Sequence, residues 1–109
     1  MTTRKRPAAR LSLDDGASYP WLQKGIALQS LKRYPEALEA FDQALLRNRE
    51  DADTWMNKSG IYAVLQDWPN AKSHLREAVR RNPGHKKLAR TDEDFRPLWN
   101  DPEFKKIVK

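Results

Sequence analysis

The sequence predicts an all-α fold made of antiparallel helix pairs, and three observations support this prediction. The 109 residues include four tryptophans but only four glycines, and they lack the long alternating Val/Ile/Thr runs of a β-sandwich. Apolar residues recur at helical spacing, and the pattern repeats after 34 residues. With 39% hydrophobic and 33% charged residues, the chain suits one domain with a core of its own.

The repeat is seen when residues 18–51 are aligned with residues 52–85 without a gap. Eight of the 34 positions are identical, and they fall on a helical period. These identical pairs are Trp21/Trp55, Lys24/Lys58, Leu31/Leu65, Pro35/Pro69, Ala37/Ala71, Ala44/Ala78, Arg47/Arg81 and Asn48/Asn82.

Each repeat is predicted to be two helices. In the first repeat, apolar positions 21, 22, 25, 28 and 31 form one stripe, and Pro35 begins a second helix where its missing N–H costs nothing. In the second repeat, one helix runs from Trp55 to Leu65, and another begins at Pro69 and ends before Pro83. Turns of about three residues make the two helices of each pair antiparallel.

These motifs resemble the tetratricopeptide repeat. The similarity lies in W-L-Q-K-G-I-A-L at 21–28 and R-Y-P-E-A-L-E-A-F-D-Q-A-L at 33–45. The second copy departs from the family pattern, with Ser59 where glycine is favoured and Leu75 where an aromatic is usual. The resemblance implies a helical solenoid in which the first helix of each pair lines a concave, partner-binding groove.

The chain is expected to have four parts. Residues 1–17 carry Pro7 and Gly16 without helical periodicity and are predicted to be a flexible basic arm; their basic start is also similar to an organelle transit peptide. Residues 18–51 and 52–85 are the two repeats. Residues 86–109 do not form a third full repeat, because Pro97 and Pro102 prevent a normal helix pair, and they are predicted to cap the second repeat. Asp101, Pro102 and Glu103 predict the start of a terminal helix there.

Charge and composition limit the classes of function. The net charge of +6 is spread along the chain, whereas nucleic-acid binders usually gather their cations on one face, so we expect nucleic acid to be an unlikely partner. There is no cysteine, and no apolar run reaches the roughly 20 residues that span a bilayer. We expect a cytoplasmic protein that has no membrane partner.

The residue patterns of catalysis and metal binding are missing from the sequence. His74 and His85 are 11 residues apart, show no acid–imidazole pairing and lack zinc-ligand spacing, and His74 is expected on an exposed or convex helix face. Glycine-rich phosphate loops and serine elbows are absent too. We therefore predict a non-enzyme without metal or cofactor, in which Trp21, Trp55 and Trp68 pack in the core rather than stack on bases.

The groove is the predicted functional site, and its partner is expected to be a protein or peptide. By the resemblance, it is lined by Tyr19, Leu22, Gln23, Ile26 and Gln29 of the first repeat and by Met56, Asn57, Gly60, Ala63 and Val64 of the second, with Ser30 and Asp53 at equivalent positions. Amide side chains such as Gln23 and Asn57 both donate to and accept from a peptide backbone. Two alternatives stay open: a nucleic-acid-associated basic protein, and a structural homo-oligomer, such as a homodimer, that uses the groove for self-association.

Overall fold

The computed structural model describes residues 17–109. The secondary-structure elements of these residues are all helices, which agrees with the predicted all-α fold. The helices are α1 (Tyr19–Ser30), α2 (Tyr34–Arg47), α3 (Ala52–Val64), α4 (Trp68–Arg81), α5 (His85–Thr91) and α6 (Pro102–Ile107), with a 3-10 helix (Glu93–Leu98) between α5 and α6. The predicted arm lies outside the described residues, except for Ala17. The chain divides into two compact units: unit 1 ends at Arg49, and unit 2 is Glu50–Lys109.

The turn within each helix pair has the same backbone in both units. Lys32 and Gln66 each have a φ of 62°, which reverses the chain before the next helix. This turn changes one expectation: Leu31 does not continue the buried stripe of α1, because it follows the helix and is 66% exposed. The start of α3 is also earlier than predicted, since Asp51 caps it by accepting the N–H of Asp53 at 3.1 Å.

The core of unit 1 depends on one close approach. Gly25 faces Phe41, and a Cβ at residue 25 would lie 2.4 Å from the Cε1 atom of that ring. Only glycine therefore fits against the phenylalanine. The other buried apolar residues of unit 1 are small or aliphatic: Leu22, Ala37, Ala40, Ala44 and Leu45.

The core of unit 2 includes the residues that follow α4. Phe95 and Leu98 of the 3-10 helix and Phe104 of α6 are buried in one cluster with Leu75 and Val79 of α4. The helix α6 begins as predicted, with Asp101 accepting the N–H of Phe104 at 3.0 Å and proline in the first turn. Residues 85–109 therefore cover the apolar face of α4 within unit 2.

Candidate partner-binding surface

The helix α1 presents an exposed face that contains four of the predicted groove positions. Tyr19, Gln23, Ile26 and Ser30 follow one another at spacings of four, three and four residues and are all solvent-exposed. Tyr19 is 65% exposed, although it is a large aromatic side chain. We call these four residues the outer face of α1.

The helix α3 has an outer face at the same repeat positions. It consists of Asp53, Asn57, Gly60 and Val64, of which Asp53 and Val64 are exposed and the other two are half-buried. A Cβ placed on Gly60 would have no heavy atom within 4 Å. The outer face of α3 is therefore open at the position that Ile26 fills on α1.

Two predicted groove residues belong to the core instead. Leu22 is 7% exposed and Ala63 is 3% exposed, so neither offers its side chain to a partner. Gln29 and Met56 are half-buried, and Met56 packs against the core cluster of unit 2. The reason is the geometry of the helix, in which successive side chains are rotated by roughly 100°. Each of these four residues is next in sequence to an outer-face residue, so its side chain lies at the edge of that face, beside the buried stripe.

The side-chain amides of Gln23 and Asn57 differ in how many hydrogen-bonding groups remain free to bind a partner. The Asn57 amide donates an N–H to the backbone carbonyl of Asp53 at 2.9 Å. This bond leaves the side-chain oxygen of Asn57 as an acceptor. Gln23 is exposed and makes no side-chain hydrogen bond within residues 17–109. Its donor and acceptor groups are both free.

An acid–imidazole pair, which the sequence did not predict, joins the outer face of α3 to α5. The Nε2 atom of His85 lies 3.0 Å from Oδ1 of Asp53, and the His85 side chain is 9% exposed whereas the Asp53 side chain is 66% exposed. The prediction of no such pairing is wrong because the partners are 32 residues apart in the sequence. The pair fixes the start of α5 against that of α3.

His74 is also placed differently from the expectation of an exposed residue. It is half-buried between the rings of Trp55 and Tyr62, at centroid distances of 5.6 and 4.9 Å. Its Nδ1 atom is 2.7 Å from the backbone carbonyl of Asn70. These contacts give His74 a packing role on the side of α4 that faces α3.

The repeated tryptophans each carry an arginine over the ring. The guanidinium of Arg47 lies 4.9 Å from the centroid of Trp21, and that of Arg81 lies 4.8 Å from the centroid of Trp55. Both indoles are half-buried. The two pairs occupy equal repeat positions and join the start of the first helix to the end of the second, so these rings serve the fold of each unit.

In each helix pair, one glutamate of the second helix has a lowered pKa because nearby arginines donate hydrogen bonds to it. The hydrogen bond from Arg33 lowers the pKa of Glu36, and hydrogen bonds from Arg81 and Arg80 lower that of Glu77. These carboxylates lie on α2 and α4, away from the outer faces. Within residues 17–109 there is no cluster of His, Asp and Glu residues able to hold a metal ion. The same residues contain no helix that could cross a membrane.

Comparison with known proteins identifies one family. A family model described as Tetratricopeptide repeat matches residues 22–86, which is more than half of the chain. No curated protein matches the sequence, and no solved structure matches it either.

Proposed function

Because the chain belongs to the tetratricopeptide repeat family, whose members generally mediate protein–protein interactions, we propose that it is a non-enzymatic adaptor that binds a partner protein through the outer faces of α1 and α3. The observation that supports this proposal most directly is the repetition of the face. The same four repeat positions are directed away from the core in both units, at Tyr19, Gln23, Ile26 and Ser30 and at Asp53, Asn57, Gly60 and Val64.

The chemistry of the two faces suits a short peptide segment or an amphipathic helix. Exposed Tyr19, Ile26 and Val64 offer apolar area, and burial of one such side chain contributes roughly 1.5–3 kcal/mol. The free amide of Gln23 and the oxygen of Asn57 pair with a backbone without selecting a side chain. On each face, the apolar residues provide affinity and the amide fixes the orientation of the segment bound there.

The two alternative functions predict different behaviour. Binding to nucleic acid through the spread positive charge would fall steeply with salt, whereas apolar docking on the outer faces would change little. Self-association through the same faces would make the oligomeric state, rather than partner binding, sensitive to substitution. A cytoplasmic location stays a prediction.

The test is a pull-down from the source organism's lysate with nuclease added, at low and high salt. The variants are Ile26→Asp, which places a charge on the outer face of α1, and Gly60→Leu, which fills the open position on α3. Neither variant disturbs the buried residues, because Ile26 is exposed and a Cβ on Gly60 has no heavy atom within 4 Å. The matched control is Ser73→Leu, which adds the same side chain at an exposed position of α4.

We expect a partner that is retained at high salt, lost in both outer-face variants and kept by Ser73→Leu. Quantified by titration with the purified partner, each outer-face variant should weaken binding about tenfold or more. Equal binding by all variants would show that the outer faces are not the site. Recovery only at low salt and only without nuclease would favour the nucleic-acid alternative. Sedimentation of the purified chain separates self-association from both.

A further inference from the structure

The geometry points to a second binding site, distinct from the outer faces, that takes an acidic peptide segment with an apolar side chain. It is a pocket of about 430 Å³ between α5 and α6 in unit 2. Its lining residues are Arg90, Trp99, Phe104, Lys105, Val108 and Lys109. This volume is enough for one or two side chains.

The floor of the pocket is apolar and rigidly held. Phe104 and Val108 are core residues of unit 2, and each shows only a small surface to the pocket. Trp99 is half-buried, and its indole N–H donates to the backbone carbonyl of Ala89 at 3.2 Å. A guanidinium N–H of Arg90 donates to the backbone carbonyl of Val108. These bonds connect the two sides of the pocket, so it is formed before any ligand binds.

The rim of the pocket is cationic. Arg90, Lys105 and Lys109 contribute three cationic side chains, and no carboxylate side chain is part of the lining. Lys86 and Lys87 lie one helical turn before Arg90 on α5 and add to the same positive region. A ligand with carboxylates around an apolar group is complementary to this arrangement.

The neighbouring carboxylates do not neutralise the rim because they are engaged elsewhere. Asp101 and Glu103 pair with Lys72 at 3.3 and 2.9 Å, on the α4 side of α6. Glu93 pairs with Arg96 at 3.2 Å. Among the described residues, no ion pair involves Arg90, Lys105 or Lys109. The positive charge of the rim is therefore available to a ligand.

The apolar floor favours a peptide over a nucleic acid. Phosphates bind to N–H donors and cations, and they gain nothing from the surfaces of Phe104 and Val108. A phenylalanine or leucine side chain buries its apolar area against the half-buried indole of Trp99 and the small exposed edges of Phe104 and Val108, while flanking glutamates reach the rim. The site thus selects both an apolar side chain and negative charge next to it.

The test is fluorescence anisotropy of the full chain with a short dye-labelled peptide that has one phenylalanine among glutamates. Three further probes are the same peptide with serine in place of phenylalanine, the same peptide with lysines in place of glutamates, and a dye-labelled oligothymidine. We expect the phenylalanine–glutamate peptide to bind about tenfold or more tightly than the other peptides and the oligonucleotide.

The double variant Lys105→Glu/Lys109→Glu tests whether the peptide binds at this pocket. It should weaken binding of the phenylalanine–glutamate peptide about tenfold or more. The matched control, Lys24→Glu/Lys32→Glu, makes the same change of net charge at two exposed positions of unit 1 and should stay within about twofold. A second readout is the indole N–H resonance of Trp99, identified with Trp99→Phe, which should shift on titration.

Three results would overturn the proposal. Equal binding of the serine peptide would show general charge attraction, and equal or tighter binding of the oligonucleotide would show a phosphate site. Loss of the peptide in Ile26→Asp, with a silent Trp99 resonance, would place the peptide on the outer faces; that result would support the proposed function while refuting this second site. If neither outer-face variant loses the partner, the proposed function is refuted, while the assignment of the peptide to the pocket is decided by the Lys105→Glu/Lys109→Glu variant alone.

Discussion

The helix pairs α1–α2 and α3–α4 follow one 34-residue pattern, yet the contact between their two helices is made by different residues in each pair. In unit 1, Gly25 lies against the ring of Phe41. At the equal positions of unit 2, Ser59 and Leu75 are fully buried, and the Ser59 hydroxyl donates to the backbone carbonyl of Ala71 at 2.6 Å. A smaller partner at residue 75 makes room for a larger residue at 59.

We infer from this difference that the two departures from the family pattern in the second repeat are coupled. Ser59 alone or Leu75 alone would each leave an overlap or a gap, because interiors are packed at nearly crystalline density. The hydroxyl of Ser59 satisfies its own hydrogen-bonding need on α4, so its burial carries no unpaired polar group.

The units also differ in how their helices begin and how their apolar faces are covered. Asp51 and Asp67 cap α3 and α4 with their side chains, whereas Ser18 and Arg33 at the starts of α1 and α2 make no such bond. Unit 2 further gains Phe95 and Phe104 from the segment after α4. We therefore expect hydrogen exchange to be slower in unit 2.

The largest expected effect comes from removing that cover. Phe104→Ala should destabilise unit 2 by about 3–5 kcal/mol, because the side chain is fully buried in the cluster with α4. Hydrogen exchange of the α4 amides should accelerate accordingly. The control is Lys106→Ala, an exposed position on the same helix, which should stay within about 0.5 kcal/mol. Unchanged exchange in Phe104→Ala would show that α6 does not hold unit 2 together.

The next effect tests the coupled packing. Gly25→Ser should cost about 2–3 kcal/mol because its Cβ meets the Phe41 ring. The double variant Gly25→Ser/Phe41→Leu reproduces Ser59 and Leu75, and it should be more stable than the sum of the single changes by about 1 kcal/mol or more. Urea denaturation of the four proteins measures this cycle. Additive costs would mean that the two positions are independent.

A smaller effect distinguishes the helix caps. Asp51→Ala and Asp67→Ala should each cost about 1 kcal/mol, because each removes a side-chain acceptor from a helix N-terminus. Ser18→Ala and Arg33→Ala should change the free energy of unfolding by less than about 0.5 kcal/mol. Denaturant midpoints measure all four variants, and equal losses in both units would remove this part of the comparison.

The smallest effect concerns acid pH and the contact between α4 and α6. The pKa of Asp101 is lowered, chiefly by the N–H of Phe104 and also by Lys72, and that of Glu103 is lowered by Lys72 and Arg76. Lowered carboxyl pKa values stabilise the fold above the ordinary values of 3.8 and 4.5, and this contribution is lost as the pH falls from those values through the lowered ones.

Stability measured by denaturant at descending pH should therefore fall less steeply in Lys72→Met than in the unaltered chain. Lys72 is the shared partner of both carboxylates. The comparison needs constant ionic strength, since exposed ion pairs are screened by salt. Parallel curves for the two proteins would mean that the ion pairs on α6 contribute nothing measurable.

Much of the fold follows from local patterns in the sequence. Pro35 and Pro69 in the first turns of α2 and α4, and the Asp101 cap of α6, are local signals, and the structure agrees with them. The resemblance to the tetratricopeptide repeat predicts the outer-face positions 19, 23, 26 and 30, and all four are exposed. By contrast, the resemblance places Leu22 and Ala63 in the groove, but both are buried because they lie at the edge of the outer face, next to the buried stripe.

The sequence by itself determined the all-α class, the helix pairs and the family, because these depend on residues within one turn or one 34-residue period of each other. Only the tertiary structure decided which residues meet across longer separations. It brought Asp53 to His85, Ser59 to the backbone of Ala71, and the cations Arg90 and Lys105 to one pocket. Such contacts depend on how whole helices pack, and packing is a collective property of many side chains that local periodicity does not encode.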